Sequence, residues 1–429
     1  MASAPSGFTA VDKPEYSDYS RCVHCGLCLN HCPTYRLWQN EADSPRGRIR
    51  QMQLVDEGRL DLGEGFVRHI DRCLDCRACE TACPSGVEYG RLVEAARAQI
   101  EQQYRRPLAS RLARDFVYRR LLPYPNRIAA AARILRAYQR SGLAAITRRT
   151  GALRLFGLAE RERLMPRIDS DFFFSELGKT FPAKGSRRAR VALFAGCIAQ
   201  VTFSRLNRAT IRVLQANGCE VVVPAQQTCC GALPAHAGVR DVARELAREN
   251  LAAISPSDFD AIVTNAAGCG STLKEYGDLI HVDDAAHDHA ARFAGKVRDV
   301  NEFLADLGFV APMRAVPLRV TYQDSCHLAH GQKIREAPRK LIRSVPGVEL
   351  VEMQLADQCC GSAGVYNVTE ATASMDLLAL KMDCVRETKA QAIVTANPGC
   401  ILQLRAGMAI HRTGREVLHV VELLDRAID

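Results

Sequence analysis

The chain has 429 residues, 47% apolar and 24% charged, with a formal net charge of +9. That balance excludes a disordered chain, and the length calls for two or three domains rather than one small core. The outlier is cysteine, with 18 residues. The N-terminus reads as lacking a secretory leader, and no stretch approaches the roughly 18 apolar residues of a spanning helix. A secreted disulfide scaffold is therefore disfavoured. Thiols in a reducing cytoplasm, where metal binding outweighs disulfides, fit better. A peripheral place on the inner face of the cytoplasmic membrane stays open.

Residues 1–20 are polar and without strong periodicity. Two matching cysteine runs follow, inside a predicted first domain of residues 1–100. The first is Cys22-Val23-His24-Cys25-Gly26-Leu27-Cys28-Leu29-Asn30-His31-Cys32-Pro33. The second is Cys73-Leu74-Asp75-Cys76-Arg77-Ala78-Cys79-Glu80-Thr81-Ala82-Cys83-Pro84. Both fit Cys-x2-Cys-x2-Cys-x3-Cys-Pro, the spacing that wraps a [4Fe–4S] cluster with three thiolates while the fourth reaches the neighbouring cluster. The expected ligand sets are therefore crossed. Cys22, Cys25, Cys28 and Cys83 form one, and Cys73, Cys76, Cys79 and Cys32 the other. Zinc also uses Cys-x2-Cys pairs, but it draws on two pairs rather than one run closed by proline. His24 and His31 are unneeded as ligands and are expected to pack beside the cluster.

Between the runs, residues 47–58 read as helix, which points to a helical two-cluster ferredoxin module rather than the small β-rich one. Arg46 and Arg48, in Asp43-Ser44-Pro45-Arg46-Gly47-Arg48, either donate hydrogen bonds and positive charge to an anionic cluster or lie on solvated surface.

Residues 101–185 are a predicted basic helical connector without cysteine. Over 101–170 there are sixteen arginines against five acidic residues. Ile128, Ala131, Leu135 and Tyr138 recur at helical spacing. A basic amphipathic helix suits an anionic membrane surface, an acidic partner, or a plain bridge between domains. No nucleic-acid-binding module accompanies the arginines, so nucleic acid is not an expected partner.

The remainder repeats. Cys197, Cys229-Cys230-Gly231 and Cys269 are spaced by 32, 1 and 39 residues. Cys326, Cys359-Cys360-Gly361 and Cys400 are spaced by 33, 1 and 40. Apolar runs 190–197, 219–224, 261–265, 318–326, 348–352 and 392–397 read as strands, with helices at 239–254 and 369–387 between them. The fold class is α/β: two related units, 190–312 and 313–429, each a parallel sheet with its cysteines beyond the strand ends where such sheets bind ligands. Each unit's four cysteines could hold a further cluster, or the units could share one. Otherwise the sites are vestigial, with free or redox-active thiols. Cys219 and Cys384 stand outside the repeat and are expected as buried small hydrophobes.

These features together resemble the iron–sulfur subunit of glycolate oxidase over nearly the whole chain. The matching stretches are not all ligands. They include Arg21–Gly26, Ser44–Ile49, Cys79–Val87, Lys274-Glu275-Tyr276-Gly277, Cys359–Gly364 and Val394–Asn397. The resemblance implies an electron-transfer subunit. A separate flavin subunit, carrying FAD, would oxidise glycolate, and this chain would pass electrons toward quinone. The alternatives are D-lactate or another 2-hydroxy acid as donor, a thiol/disulfide redox subunit, and a metal-stabilised scaffold. The Cys-Cys-Gly units are also similar to those of heterodisulfide reductases, which end Cys-x-x-Cys around a non-cubane cluster. Here Thr272 and Gln403 replace the last cysteine, which puts that cluster type in doubt.

Overall fold

A computed structural model describes residues 6–151, 162 and 165–428. Residues 1–5 of the polar N-terminus, and Arg154, Arg161 and Arg163 of the basic segment, lie outside the described residues.

The N-terminal module is helical among its described residues. Two of its helices start where the sequence supplies a start signal. Pro33 opens the helix Pro33–Trp38 directly after Cys32, where its missing N–H is no loss. Ser44 caps the helix Pro45–Asp56 by accepting from the Gly47 N–H. The longest helix of the module, Tyr89–Gln103, places Leu92, Val93, Ala96 and Ile100 on one side at helical spacing. They pack against Ile49, Met52, Phe66 and Ile70, with Cys73 and Cys79 in the same apolar cluster.

In the connector, the helix Leu108–Arg114 runs on through a wider turn to Leu121, and Pro125–Arg140 follows. Its inner face is anchored. Tyr118, Leu122, Ile128 and Ala132 belong to the core of the first repeat unit. The apolar face expected from Ile128, Ala131, Leu135 and Tyr138 is thus displaced: Ala129 and Ala132 are buried and Ala131 is exposed. Alanines at adjacent positions give a periodicity argument little contrast to work with.

Nine strands build two sheets among the described residues. They are β1 (Thr180–Phe181), β2 (Ala189–Phe194), β3 (Cys219–Val222), β4 (Ala261–Thr264), β5 (Val297–Asp299), β6 (Leu318–Gln323), β7 (Val348–Glu352), β8 (Ala392–Thr395) and β9 (Glu416–His419). The orders are β1-β3-β2-β4-β5 and β7-β6-β8-β9. Every pairing is parallel except β1 on β3, an added antiparallel edge. Omitting β1, the second sheet repeats the first strand for strand. The last strands repeat even in their exits. Asp299 and His419 each cap the next helix, with Glu302 and Glu422 completing a capping box. The two units share one core, to which Leu206, Leu214, Val320, Leu404 and Leu424 all contribute, and Arg212 pairs with Asp425 across it at 2.6 Å.

Gly238 fixes how the first unit sits on the N-terminal module. Its φ is +83°, and a Cβ there would lie 2.3 Å from the Arg97 carbonyl oxygen of the helix Tyr89–Gln103. Gly238→Ala combines a disfavoured backbone conformation with a clash against backbone. It is expected to destabilise the chain by at least about 1–3 kcal/mol, measured as a lowered denaturation midpoint.

Candidate metal centres

The chain turns around both N-terminal runs in the same way. His24 and Gly26 in the first run, and Asp75 and Arg77 at the corresponding places in the second, all have positive φ. These left-handed residues curl each run so that its sulfurs point inward. Gly26 does this without strain, whereas Arg77 is held there by its partners.

The structure places Cys83 beside Cys22, where burial first and then the neighbouring sulfurs raise the Cys22 pKa. Cys32 lies beside Cys76 and Cys79, whose thiols burial pushes well up. A cavity is lined by Cys32, Cys73, Cys76 and Cys79 together with Arg48, Arg77 and Tyr89. Tyr89 Oη donates toward Cys73 Sγ at 3.7 Å, and the Asp75 N–H does so at 3.4 Å. All the cysteines are unbridged. Buried thiols crowded in this way ionise only with a cation to balance them, so this donor set fits a thiolate-ligated cluster.

Arg48 is fully buried. Its Nε donates to the His69 carbonyl at 2.6 Å and its terminal nitrogens donate to Thr34 Oγ1 at 3.2 Å. Burial works against its charge, but Tyr89, Cys73, Cys32 and Asp43 around it hold the pKa up. The solvated-surface alternative therefore fails for Arg48. Arg46 is nearer the surface, donating to the His24 carbonyl at 2.9 Å and pairing with Glu41. His24 and His31 are exposed rather than packed. So is Cys25, flanked by Val23 at 70% and Leu27 at 58% exposure. The first set is an outer set and the second an inner one.

In the repeat units the cysteines sit at matching offsets past the strands. Cys197 and Cys326 follow the ends of β2 and β6 by three residues, and Cys269 and Cys400 follow β4 and β8 by five. Cys197 Sγ is 3.3 Å from Cys229 Sγ, and the Cys230 thiol hydrogen-bonds with both Cys229 and Cys269. Two thiols donating to Cys229 favour it as a thiolate. The second unit repeats the arrangement: Cys326 contacts Cys359, and Cys360 contacts Cys359 and Cys400, with the Cys360 thiol pushed up to about 12 by its Cys359 neighbour and by burial.

Asn250 Nδ2 donates to the Cys229 carbonyl and Tyr276 Oη to that of Cys230, both at 2.9 Å, fixing the first Cys-Cys-Gly turn. In the second unit Gln403 Nε2 donates to Ser374 Oγ at 2.9 Å, which donates to the Gly361 carbonyl at 2.8 Å. Gln403 stands where a fifth cysteine would be and braces the turn instead. Cys219 is fully buried, whereas Cys384 is only half-buried and lines a cavity with Cys359, Lys381 and Arg36.

The node where the three parts meet escaped sequence reasoning. Arg77 pairs with Glu275 of the first unit and with Glu94 at 3.2 Å. His236 Nδ1 lies 2.7 Å from Glu94 and 3.2 Å from Asp75. The ligand atoms of Asp75, Glu94 and His236 fall within 4.8 Å of one another, but Arg77 and Arg240 already face these carboxylates. The only sequence signal was indirect: Glu275 belongs to Lys274-Glu275-Tyr276-Gly277, a matching stretch without a ligand.

Family models match in the same arrangement. Residues 18–87 match a 4Fe-4S dicluster domain, and 191–274 and 320–405 each match the cysteine-rich domain. This is an iron–sulfur protein, a two-cluster module joined to a duplicated cysteine-rich domain. Residues 109–165 match the linker region of the glycolate oxidase iron-sulfur subunit. The chain is 40% identical to the probable glycolate oxidase iron-sulfur subunit of Bacillus subtilis, over 96% of this chain and 95% of that one. It is 33% identical to the glycolate oxidase iron-sulfur subunit of Escherichia coli, over 95% and 94%. It belongs to the family of glycolate oxidase iron–sulfur subunits. Lactate utilization protein A of Oceanobacillus iheyensis is 31% identical over 55% of this chain and 96% of its own length.

Burial alone would lower the His236 pKa, but hydrogen bonds to Asp75 and Glu94 outweigh it and push it to about 9. Uncharged His327, edge-on to His236, and the charged Arg77, Arg240 and Glu275 also face it. A raised pKa stabilises fully below the unfolded value near 6.5, and the contribution is lost as pH rises through about 9. The thermal midpoint of the anaerobic protein is expected to fall between pH 7 and 9. His236→Phe should be less stable at neutral pH and lose that dependence.

Proposed function

We propose that this chain is the electron-transfer subunit of a flavin-dependent glycolate dehydrogenase complex, itself without the catalytic site. A partner subunit carrying FAD oxidises glycolate to the 2-oxo acid, and this chain conducts the electrons toward quinone or another membrane acceptor. In this reading Cys22, Cys25, Cys28 and Cys83 hold one [4Fe–4S] cluster and Cys73, Cys76, Cys79 and Cys32 the second. Cys197, Cys229, Cys230 and Cys269 hold a third, and Cys326, Cys359, Cys360 and Cys400 a fourth. The observation that carries it is the convergence of Cys32 with Cys73, Cys76 and Cys79 on one cavity between two arginines, in a chain of this family. Four thiols per repeat site, with Thr272 and Gln403 in place of a fifth, suit cubane rather than non-cubane clusters.

Arg48 and Arg77 beside the inner set offset the negative charge of thiolate-bound iron and favour its reduced form. The connector exposes Leu108, Leu112 and Phe116 among Arg105, Arg111 and Arg119. That surface suits peripheral contact with an anionic membrane face. A second donor, lactate, is supported by the relatives named lactate utilization protein A, which match 55% of the chain.

Iron analysis of the anaerobically purified chain is expected to give about sixteen iron atoms, from four clusters of four. About eight would restrict clusters to the N-terminal module, and stoichiometric zinc without iron would defeat the electron-transfer reading. Cys79→Ser is expected to lose about four iron atoms while the outer cluster's signal remains. The co-purified flavoprotein should reduce the clusters with glycolate, and the isolated chain should not. Preferential reduction by lactate would select the second donor. Reduction of a heterodisulfide by the isolated chain would select the thiol/disulfide reading.

A further inference from the structure

The two repeat sites are alike in sequence but not in surroundings. Cys76, of the inner set, packs in one apolar cluster with Cys359, Leu74, Ala78, Tyr366 and Leu377, and Cys326 lies against the same cluster. Cys359 and Cys326, both of the second unit, are thus the cysteines beside Cys76. The second unit therefore meets the inner set through its own cysteines. The first unit meets the same loop differently, through charged side chains: Glu275 on Arg77 and His236 on Asp75.

The first unit's Cys269 turn is in turn joined to the second unit. The Gly268 N–H donates to Asn397 Oδ1 at 3.5 Å, and Gln332 Nε2 donates to the Ala267 carbonyl at 3.0 Å. At the other end, Cys28 of the outer set has Cys32 of the inner set as a neighbour. His327 stands at the crossing. Its Nε2 donates to the Asp75 carbonyl at 2.9 Å, its ring lies edge-on to His236 at 4.9 Å, and it directly follows Cys326.

The geometry points to a single ordered route: outer set, inner set, second-unit set, first-unit set, with Cys76, Cys326 and Cys359 as the crossing between modules. The inference rests on the reading that the four-thiol sets hold clusters. Each step moves one electron. A cluster held on one set would be oxidised as its neighbour is reduced, with no bond made or broken and no proton required. His327 is a positioning residue: it ties the Cys73–Cys76 loop to the Cys326 turn and so sets the gap the electron crosses.

The test uses the full chain, reduced with dithionite and read by electron paramagnetic resonance and iron analysis. Cys400→Ser and Cys269→Ser are each expected to lose about four iron atoms. The spin–spin interaction of the inner cluster with a repeat-site cluster should vanish in Cys400→Ser and persist in Cys269→Ser. The reverse pattern overturns the route while leaving four clusters intact. Iron unchanged in both variants overturns the repeat-site clusters and the route with them. His327→Leu should keep its iron but weaken the interaction, and His327→Gln, which retains a donor, should restore it. An undiminished interaction in His327→Leu overturns the positioning role. The two cysteine variants decide the route even where His327→Leu disturbs folding.

Discussion

The arrangement of the three parts depends on the buried ion-pair node at Arg77. A guanidinium removed from water is costly unless carboxylates close around it, and here Asp75, Glu94 and Glu275 do so from two modules. The node orients a loop as well as linking domains. Arg77 and Asp75 lie between cysteines of the inner set, so the first unit's grip on Arg77 also fixes the curl of the second run. Removing Glu275 would leave Arg77 under-compensated in a left-handed conformation, with strain passing directly to Cys76 and Cys79. Arg97 adds a second tie, donating to the Cys73 carbonyl at 2.5 Å and the His236 carbonyl at 2.8 Å.

The repeat units show why a parallel sheet suits this task. Its strands all end on one rim, so turns that follow β2, β3 and β4 bring together cysteines far apart in the chain. β6, β7 and β8 do the same. Identical offsets past the strands reproduce the same thiol geometry twice, while packing against different neighbours makes the two sites physically distinct. A shared core, with Arg212 and Asp425 pairing across it, holds the two rims in fixed relation.

Much of this was legible in the sequence because it is local. The cysteine runs and the six strands leading toward the repeat's cysteines follow from neighbours a few residues apart, and the repeat from two matching sets of intervals. β1, β5 and β9 were not foreseen. β1 has two residues and β5 three, too short for a period to register, and β9 runs straight into a helix. Arg48 had two open readings, because burial depends on the inner set closing over it. Arg77 and Glu275 are 198 positions apart, and no local pattern announces such a pair. The Ala131 expectation failed because alanine's small side chain leaves the face of a helix ambiguous by one residue.

The burial of Cys76 has a consequence for how the protein is made. In the finished fold part of its surroundings comes from the C-terminal unit, and the Asp75–His327 bond joins residues 252 positions apart. Contacts of such long range form late, because the intervening chain must first be ordered. While the ribosome is still extending the chain, the inner thiols are open to whatever delivers iron and sulfide. Once the last unit docks, they are walled in. Cluster insertion into the inner set is therefore expected to be easier before the last unit docks than after it.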